Sequence, residues 1–323
     1  MPANVPMQKM RSAYADTVIE LAKADARIVF VSSDCGLHER EFLKTEGQGR
    51  MIETGLAEAN AAAVAAGLAA EGFVPHLLNF AYLLGRMYNQ ISQSICEDAY
   101  NVKLAAYYAG VWGTGGRSHN CVTDLSLVRA LPNLSIFAPA DSWETKAVTR
   151  YAASLKGPTY TRLSGVPTPV VFECEPEFRP LRKIREGQGC VIFCHGTMVH
   201  EALHANARGG LNATIIQVTQ IKPLPEAEIL AEAQRASRVL VVEEHSRIGG
   251  LGEAITTLLA QQGPVPMRLL AVPDMFPWSV LTETPDVYGK YGISWRHIIE
   301  AATHTQLDQR AVAADVASGT GTW

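Results

Sequence analysis

Glu58 is the one acidic residue in the run GLAEANAAAVAAGLAA, residues 55–70. Alanines at 57, 59, 61–63 and 65 put little bulk around it, so a backbone or a ligand can approach closely. A carboxyl in that setting can hydrogen-bond a heteroaromatic nitrogen. It also suits an exposed position near a helix N-terminus, where the dipole favours an acid. The segment NFAYLLGRMYNQ follows, with Phe80, Tyr82, Arg86 and Tyr88. Such aromatic patches are commonly core, but a guanidinium among them needs an anionic or aromatic partner. A third candidate is the loop GVWGTGGRSHN, residues 110–120. Its glycines permit positive φ and leave backbone amides free for a ligand. Arg117 and His119 add donors for an oxyanion or a hydroxyl. Arg11 and Arg162 are the last candidates: two ordinary surface charges, or a phosphate clamp if both face one cleft.

The elements that must place these residues can be read from periodicity. Residues 8–25 carry apolar positions at helical spacing, and ARIVFVSSD is a continuous β-rich run that fits a strand buried on both faces. It ends in Ser32, Ser33 and Asp34, a strand terminus of the kind where α/β folds place functional loops. The helix of Glu58 comes next, then the strand FVPHLLNF and a helix from about 83 to 100. KLAAYYAG, LSIFAPA and PTYTRLS read as further strands, and Asp141 with Glu144 resembles a capping box. Residues 165–187, with several prolines and mixed charges, read as a linker. Beyond it the alternation restarts with GCVIFCHG, NATIIQVT, SRVLVVEEH and VPMRLLAVP as strands between helices. Strands alternating with helices predict a two-domain α/β chain whose first part is a doubly wound, mostly parallel sheet. The expected domains are 1–178 and a smaller 179–310, followed by a disordered tail over 311–323.

Composition narrows the function classes. The chain has 323 residues, 47% hydrophobic and 19% charged, which is ample for a core. A net charge of −4 argues against nucleic acid or an anionic membrane as partner. Six cysteines form no CxxC pair, and Cys190 and Cys194 lie in an apolar strand-like run that suggests buried thiols rather than a metal site. With no signal-like segment and no apolar run of ~20 residues, a cytoplasmic location is expected. There is no P-loop, no dinucleotide fingerprint after a strand, and no GDG with a downstream Asn to hold a metal–diphosphate group.

At this point the motifs resemble the C-terminal half of a transketolase, or a stand-alone subunit equivalent to it, over roughly residues 8–305. GLAEAN is similar to the family's G-I-A-E-x-N, and NFAYLLGRMYNQI to T-F-x-x-F-x-x-R-x-x-x-Q-I. GGRSHN followed by DLSLVRALPN resembles D-G-x-T-H-Q followed by D-x-x-x-x-R-x-x-P. QIKPLPEAEIL and VVEEHSRIGGLGEAI resemble motifs of the family's C-terminal domain. The resemblance implies thiamine diphosphate shared between chains, with its diphosphate and its Mg2+ or Ca2+ held by a partner subunit, most simply in an α2β2 assembly. It implies that Glu58 hydrogen-bonds the pyrimidine ring nitrogen and so activates the cofactor. Phe80, Tyr82, Leu83 and Arg86 would lie around that ring. Arg11, His38, Arg117, His119 and Arg162 would bind the substrate, His119 also serving in catalysis by contacting donor hydroxyls. The implied reaction moves a two-carbon ketol unit from a ketose, expected to be phosphorylated, to an aldose.

Departures from the family pattern bear on the substrate. Leu83 stands where an aromatic is usual, so stacking is weaker there or supplied by Tyr82. Gly115 replaces the Asp of D-G-x-T-H, Arg117 replaces an uncharged residue, and His38 lies where a phosphate-contacting serine is usual. These changes point to a modified ketose or another anionic donor. Two other enzyme readings share the fold and the glutamate: the pyrimidine-domain subunit of a 2-oxoacid decarboxylase or dehydrogenase, and a deoxyxylulose-phosphate-synthase-like enzyme. A degenerate, non-catalytic subunit is the remaining alternative, against which an intact Glu58 argues.

Overall fold

The computed structural model describes residues 6–35, 45, 47, 49–111, 116–277 and 287–303, without the side chain of Arg117. His38, Gly115 and the tail over 311–323 lie outside the described residues. A two-residue strand, Met7–Gln8 (β1), leads into helix Met10–Ala24 (α1). Met10, Ala13, Tyr14, Val18 and Ala22 are buried, an i, i+3, i+4 stripe that turns this helix onto the sheet. Then follow Ile28–Ser32 (β2), Met51–Glu53 (β3), Glu58–Ala70 (α2), Val74–Phe80 (β4) and Leu84–Gln90 (α3). Lys103–Tyr107 (β5), Asp124–Arg129 (α4), Ser135–Phe137 (β6), Ser142–Ser154 (α5) and Thr159–Arg162 (β7) complete the first half. The strands lie in the order β3-β2-β4-β5-β7-β6, all parallel. This is the doubly wound sheet expected from the alternation.

The second half contains Thr168–Pro169 (β8), Leu181–Arg185 (β9), Val191–Cys194 (β10), Met198–Gly209 (α6) and Thr214–Val218 (β11). Gln220–Lys222 (β12), Glu226–Gln234 (α7), Val239–Ser246 (β13), Leu251–Gln262 (α8), Met267–Val272 (β14) and Trp295–Thr303 (α9) follow. Its sheet runs β14-β13-β10-β11-β9, parallel apart from the edge strand β9.

Three details differ from the periodicity. The stretch read as a linker contains β8, which pairs with β1, and β9, whose LRKIR sequence is the charged edge of the second sheet. Charge on an edge strand blocks further pairing and hides the strand from a hydrophobic-pattern reading. The expected helix over 83–100 is a 3-10 turn over Ala81–Leu83, then α3, then a π-helical stretch over Ile91–Cys96. Finally, β12 leaves its own half and pairs antiparallel with β6, becoming an edge strand of the first sheet.

One buried apolar cluster runs through both halves, from Leu77, Ile91 and Tyr160 to Phe193, Ile216 and Val241. The alanine face of α2 (Ala61, Ala62, Ala65, Ala66, Ala69) belongs to the same cluster, with Leu84, Met87 and Ile91. Small residues on one side let the following helix approach closely. At about 1.5–3 kcal/mol for each large buried aliphatic, that contact anchors the start of α2. Cys190 and Cys194 are buried free thiols, as their apolar setting predicted. Asp141 Oδ1 accepts from Glu144 N at 2.8 Å, the capping contact read from the sequence, while the Glu144 carboxylate turns to Ala140 N at 2.6 Å.

Candidate active site

Glu58 is the first residue of α2 and is buried, 3% exposed at the side chain. The preceding turn holds it in place: Thr54 N donates to Ser32 O at 2.9 Å, Gly55 N to Glu53 Oε1 at 3.1 Å, and Gly55 takes φ +67. Among the described residues its carboxylate has one polar partner, Arg86 on α3, whose Nη1 lies 3.4 Å from Oε1 and 3.3 Å from Oε2. Arg86 is itself 63% exposed. The guanidinium singled out in the aromatic segment thus finds an anionic partner, and the partner is Glu58. A buried carboxylate with a single long contact is under-supplied with donors, since such groups ordinarily accept several hydrogen bonds.

The aromatic residues gather at the carboxyl ends of β4 and β5. Phe80 meets Tyr107 at 4.5 Å between ring centroids, stacks on Tyr108 at 5.5 Å, and receives the edge of His119 at 4.9 Å. Here Phe80 and His119, far apart in sequence, share one patch. Tyr82 is about half exposed at the rim, while Leu83 is half-buried and packs on the apolar cluster. Beneath the patch, Asn79 Nδ2 donates to Ser33 Oγ at 2.7 Å, and its Oδ1 accepts from the Cys35 thiol at 3.1 Å and from Phe80 N at 2.8 Å. Burial pushes the thiol of Cys35 and the phenol of Tyr107 upward, so both are neutral donors at ordinary pH.

Arg11, in the first turn of α1, reaches the same strand ends. Its guanidinium lies 4.3 Å from the Tyr107 ring centroid and Nη2 donates to Cys35 O. Its Nε is buried without a partner among the described residues. Arg162 does not join it. Its Nε donates to Asp124 Oδ2 at 2.9 Å and Nη2 to Glu244 O at 2.8 Å, and the side chain is 5% exposed. Arg162 is thus held in a buried ion pair with Asp124, and no contact among the described residues joins it to Arg11. Burial alone would raise the Asp124 carboxyl, but Arg162 and His245 more than offset this and hold it below the usual carboxylate range.

Tyr107 and Tyr108 were missed, although the rule that ligands meet the carboxyl ends of parallel strands points to the YY of KLAAYYAG. Tyr108 carries φ +59, a left-handed backbone that costs a bulky residue about 1–3 kcal/mol. Gly165 makes room for its ring: a Cβ there would lie 2.0 Å from Tyr108 Cδ1. The acidic pair Glu243 and Glu244, noted only as part of a motif, is buried, and Glu244 reaches Val111 of the first half. A cavity of about 270 Å3, lined by Val166, Val171, His200 and Leu203 among others, opens between β8 and α6. None of Glu58, Arg86, Phe80, Tyr108 or His119 lines it. This cavity and the chemistry thus point to different places, and the buried Glu58 carboxylate with its single long contact among the described residues is the stronger indicator. No group of three or more His, Cys, Asp or Glu among the described residues is arranged for a metal ion, and none of their helices is long and apolar enough to cross a membrane.

Comparison with known proteins agrees with this geometry. The family model for the transketolase pyrimidine-binding domain matches residues 7–165, and that for the transketolase C-terminal domain matches residues 181–298. The chain is 34% identical over 304 residues to a 6-deoxy-6-sulfo-D-fructose transketolase subunit of Clostridium sp. (strain MSTE9), covering 91% of this chain and 93% of that one. It is 28% identical over 302 residues to an apulose-4-phosphate transketolase subunit of Phocaeicola vulgatus, covering 90% and 96%. A solved split-gene transketolase, an inactive beta4 tetramer, superposes with a TM-score of 0.81 at 33% identity, covering 91% of this chain and 97% of that one. Both modules lie in family order along nearly the whole chain, so the protein belongs to the transketolase family and carries its pyrimidine-binding and C-terminal domains.

Proposed function

We propose that this chain supplies the pyrimidine-facing half of a thiamine diphosphate site for ketol transfer, and that a separate subunit supplies the rest. The observation that carries the reading is Glu58, a buried carboxylate whose one polar partner among the described residues is an exposed arginine at 3.3–3.4 Å. Such an acid fits a heteroaromatic nitrogen, and Leu56, Tyr82 and Arg86 in the neighbouring segments are exposed, as a surface completed by another polypeptide would be. When bound, thiamine diphosphate supplies the carbon nucleophile of the reaction. Glu58 would hold a proton-bearing ring nitrogen in one orientation. Phe80 and Tyr82 would offer flat faces to that ring, Leu83 serving as apolar wall. The metal, Mg2+ or Ca2+, and the diphosphate would be held by the partner, most simply in an α2β2 assembly within the cytoplasm.

The donor is an anionic ketose that differs from the usual pentose phosphate. Arg11, whose buried Nε has no partner among the described residues, is the anion ligand, and His119 meets donor hydroxyls. Arg117 and His38 would add cationic or donor groups for the same anion. Gly115 removes the carboxylate that the family aims at a sugar hydroxyl. Both relatives act on other ketoses, a 6-deoxy-6-sulfo sugar and a 4-phosphate. The test mixes this chain with a diphosphate-binding partner subunit, thiamine diphosphate and Mg2+, and follows ketol transfer from a panel of ketose phosphates and sulfonates. Neither subunit should act alone. Efficient turnover of xylulose 5-phosphate by the pair would overturn the substrate assignment, and no ketol transfer from any donor would overturn the function.

A further inference from the structure

The segment that carries His119 leaves the first sheet at Tyr108 and returns at Cys121. Cys121 N donates to Tyr108 O at 3.0 Å and Gly110 N to Cys121 O at 2.6 Å, which closes its base. Past that base, contacts come from the other half of the chain. Val111 N donates to Glu244 Oε1 at 2.7 Å on one side. On the other, Ser246 N donates to Val122 O at 2.7 Å and Leu125 N donates to His245 Nε2 at 3.1 Å. Glu244, His245 and Ser246 are consecutive at the tip of β13, so one strand end grips both sides of the segment.

Glu244 has little freedom in this role. Thr197 Oγ1 and Tyr288 OH both donate to its Oε2, and its carbonyl accepts from Arg162. The backbone is pressed against it: Gly110 has φ +116, and a Cβ there would lie 2.3 Å from the carboxyl carbon. The neighbouring Glu243 points to the opposite side of the strand, as alternate side chains do, and accepts from Leu251 N and Gly252 N at 2.8 and 2.9 Å. Glu243 therefore caps α8 within its own half, whereas Glu244 reaches across to the site.

We propose that Glu244 is a positioning residue for the donor site: by fixing Val111 N it sets where His119 meets Phe80. The proposal rests on the functional reading above for its kinetic part alone. The first test is hydrogen exchange on the full chain. Glu244→Gln keeps the size of the side chain but replaces one acceptor oxygen with a donor. Amide exchange over residues 108–122 should rise about tenfold, the equivalent of ~1.4 kcal/mol, while residues 58–70 and 251–262 stay as in the wild type. Glu243→Gln should show the converse, with faster exchange at the start of α8 alone. Unchanged exchange over 108–122 in Glu244→Gln, or an equal rise throughout the second half, would overturn the proposal.

The second test uses the reconstituted two-subunit enzyme. Glu244→Gln should raise the donor KM about tenfold with kcat within about threefold, and should add nothing to His119→Ala. Losses that add independently would overturn the proposal. A wild-type pair without ketol transfer would overturn the functional reading instead, with the exchange experiment still deciding the role of Glu244.

Discussion

Arg86 Nη1 stands 3.3 Å from one carboxylate oxygen of Glu58 and 3.4 Å from the other, an exposed guanidinium set against a buried acid. The pair joins the first turn of α2 to α3, and its two members are expected to respond very differently to substitution.

Glu58→Gln should lower ketol transfer in the reconstituted enzyme by about 10²-fold or more, the range for removing an acid–base contact. The free subunit should meanwhile be as stable as the wild type or slightly more so, because a poorly supplied buried charge has been removed. Arg86→Ala should change stability by less than ~1 kcal/mol, since the guanidinium is exposed and its contact with the carboxylate is long. Denaturant unfolding of the three proteins decides this. A loss of several kcal/mol in Glu58→Gln would show that the acid is there for structure.

The two arginines expected to act together should separate. Arg162→Met leaves the buried Asp124 without its guanidinium, with only the Tyr160 hydroxyl and His245 beside it, and should cost about 3–5 kcal/mol, visible as a large fall in the unfolding midpoint. Arg11→Ala should cost about 1 kcal/mol through its lost contact with Tyr107 and instead raise the donor KM. Equal effects of both variants on donor KM, with stability intact, would restore the clamp.

Gly165→Ala tests the placement of Tyr108. The added methyl group would sit 2.0 Å from Cδ1 of that ring, so the ring must leave its stack on Phe80. A stability loss of about 1–3 kcal/mol is expected, the usual cost of overpacking, together with weaker donor binding. Wild-type donor KM in a folded Gly165→Ala enzyme would remove Tyr108 from the site.

Glu144 gives the protein a pH dependence between its halves. It lies on α5 and accepts from Thr219 Oγ1 at 2.7 Å and Gln217 Nε2 at 3.1 Å, and burial pushes its carboxyl up to about 7. Between the ordinary value of 4.5 and about 7, the unfolded chain has lost this proton while the folded one keeps it. Stability therefore falls as pH rises through that window, by on the order of 3 kcal/mol when complete. Glu144→Gln should remove that slope, its amide facing the Thr219 hydroxyl, which can turn to accept. Unfolding midpoints at pH 5, 6, 7 and 8 should converge or cross with those of the wild type; parallel curves would exclude Glu144 as the source.

Much of the architecture was legible because its signals are local. Continuous β-rich runs such as IVFVS and the alanine-rich repeat after Glu58 set which segments become buried strands and which become a helix able to pack closely. Glu58 lies at a helix start in the sequence reading and in the structure alike. The edge strand LRKIR escaped notice because an edge carries charge where interior strands carry aliphatics. β12 could not be assigned to the first sheet from its residues, because an edge pairing depends on how the halves dock.

What the sequence by itself determined is the order and type of the elements, the family motifs, and the chemistry available at Glu58, Phe80, Arg11 and His119. The elements follow from periodicities of two and 3.6 residues and the motifs from residue identities, all of which a short window contains. Only the tertiary structure decided who meets whom. Arg86 is claimed by an acid 28 residues away, Arg162 by one 38 away, and Val111 by a carboxylate 133 residues further along. A side chain's partner is chosen by the closing of the chain in space. That choice made Arg162 an interior brace, set Glu244 against Val111, and left Glu58 with one long contact to a cation among the described residues.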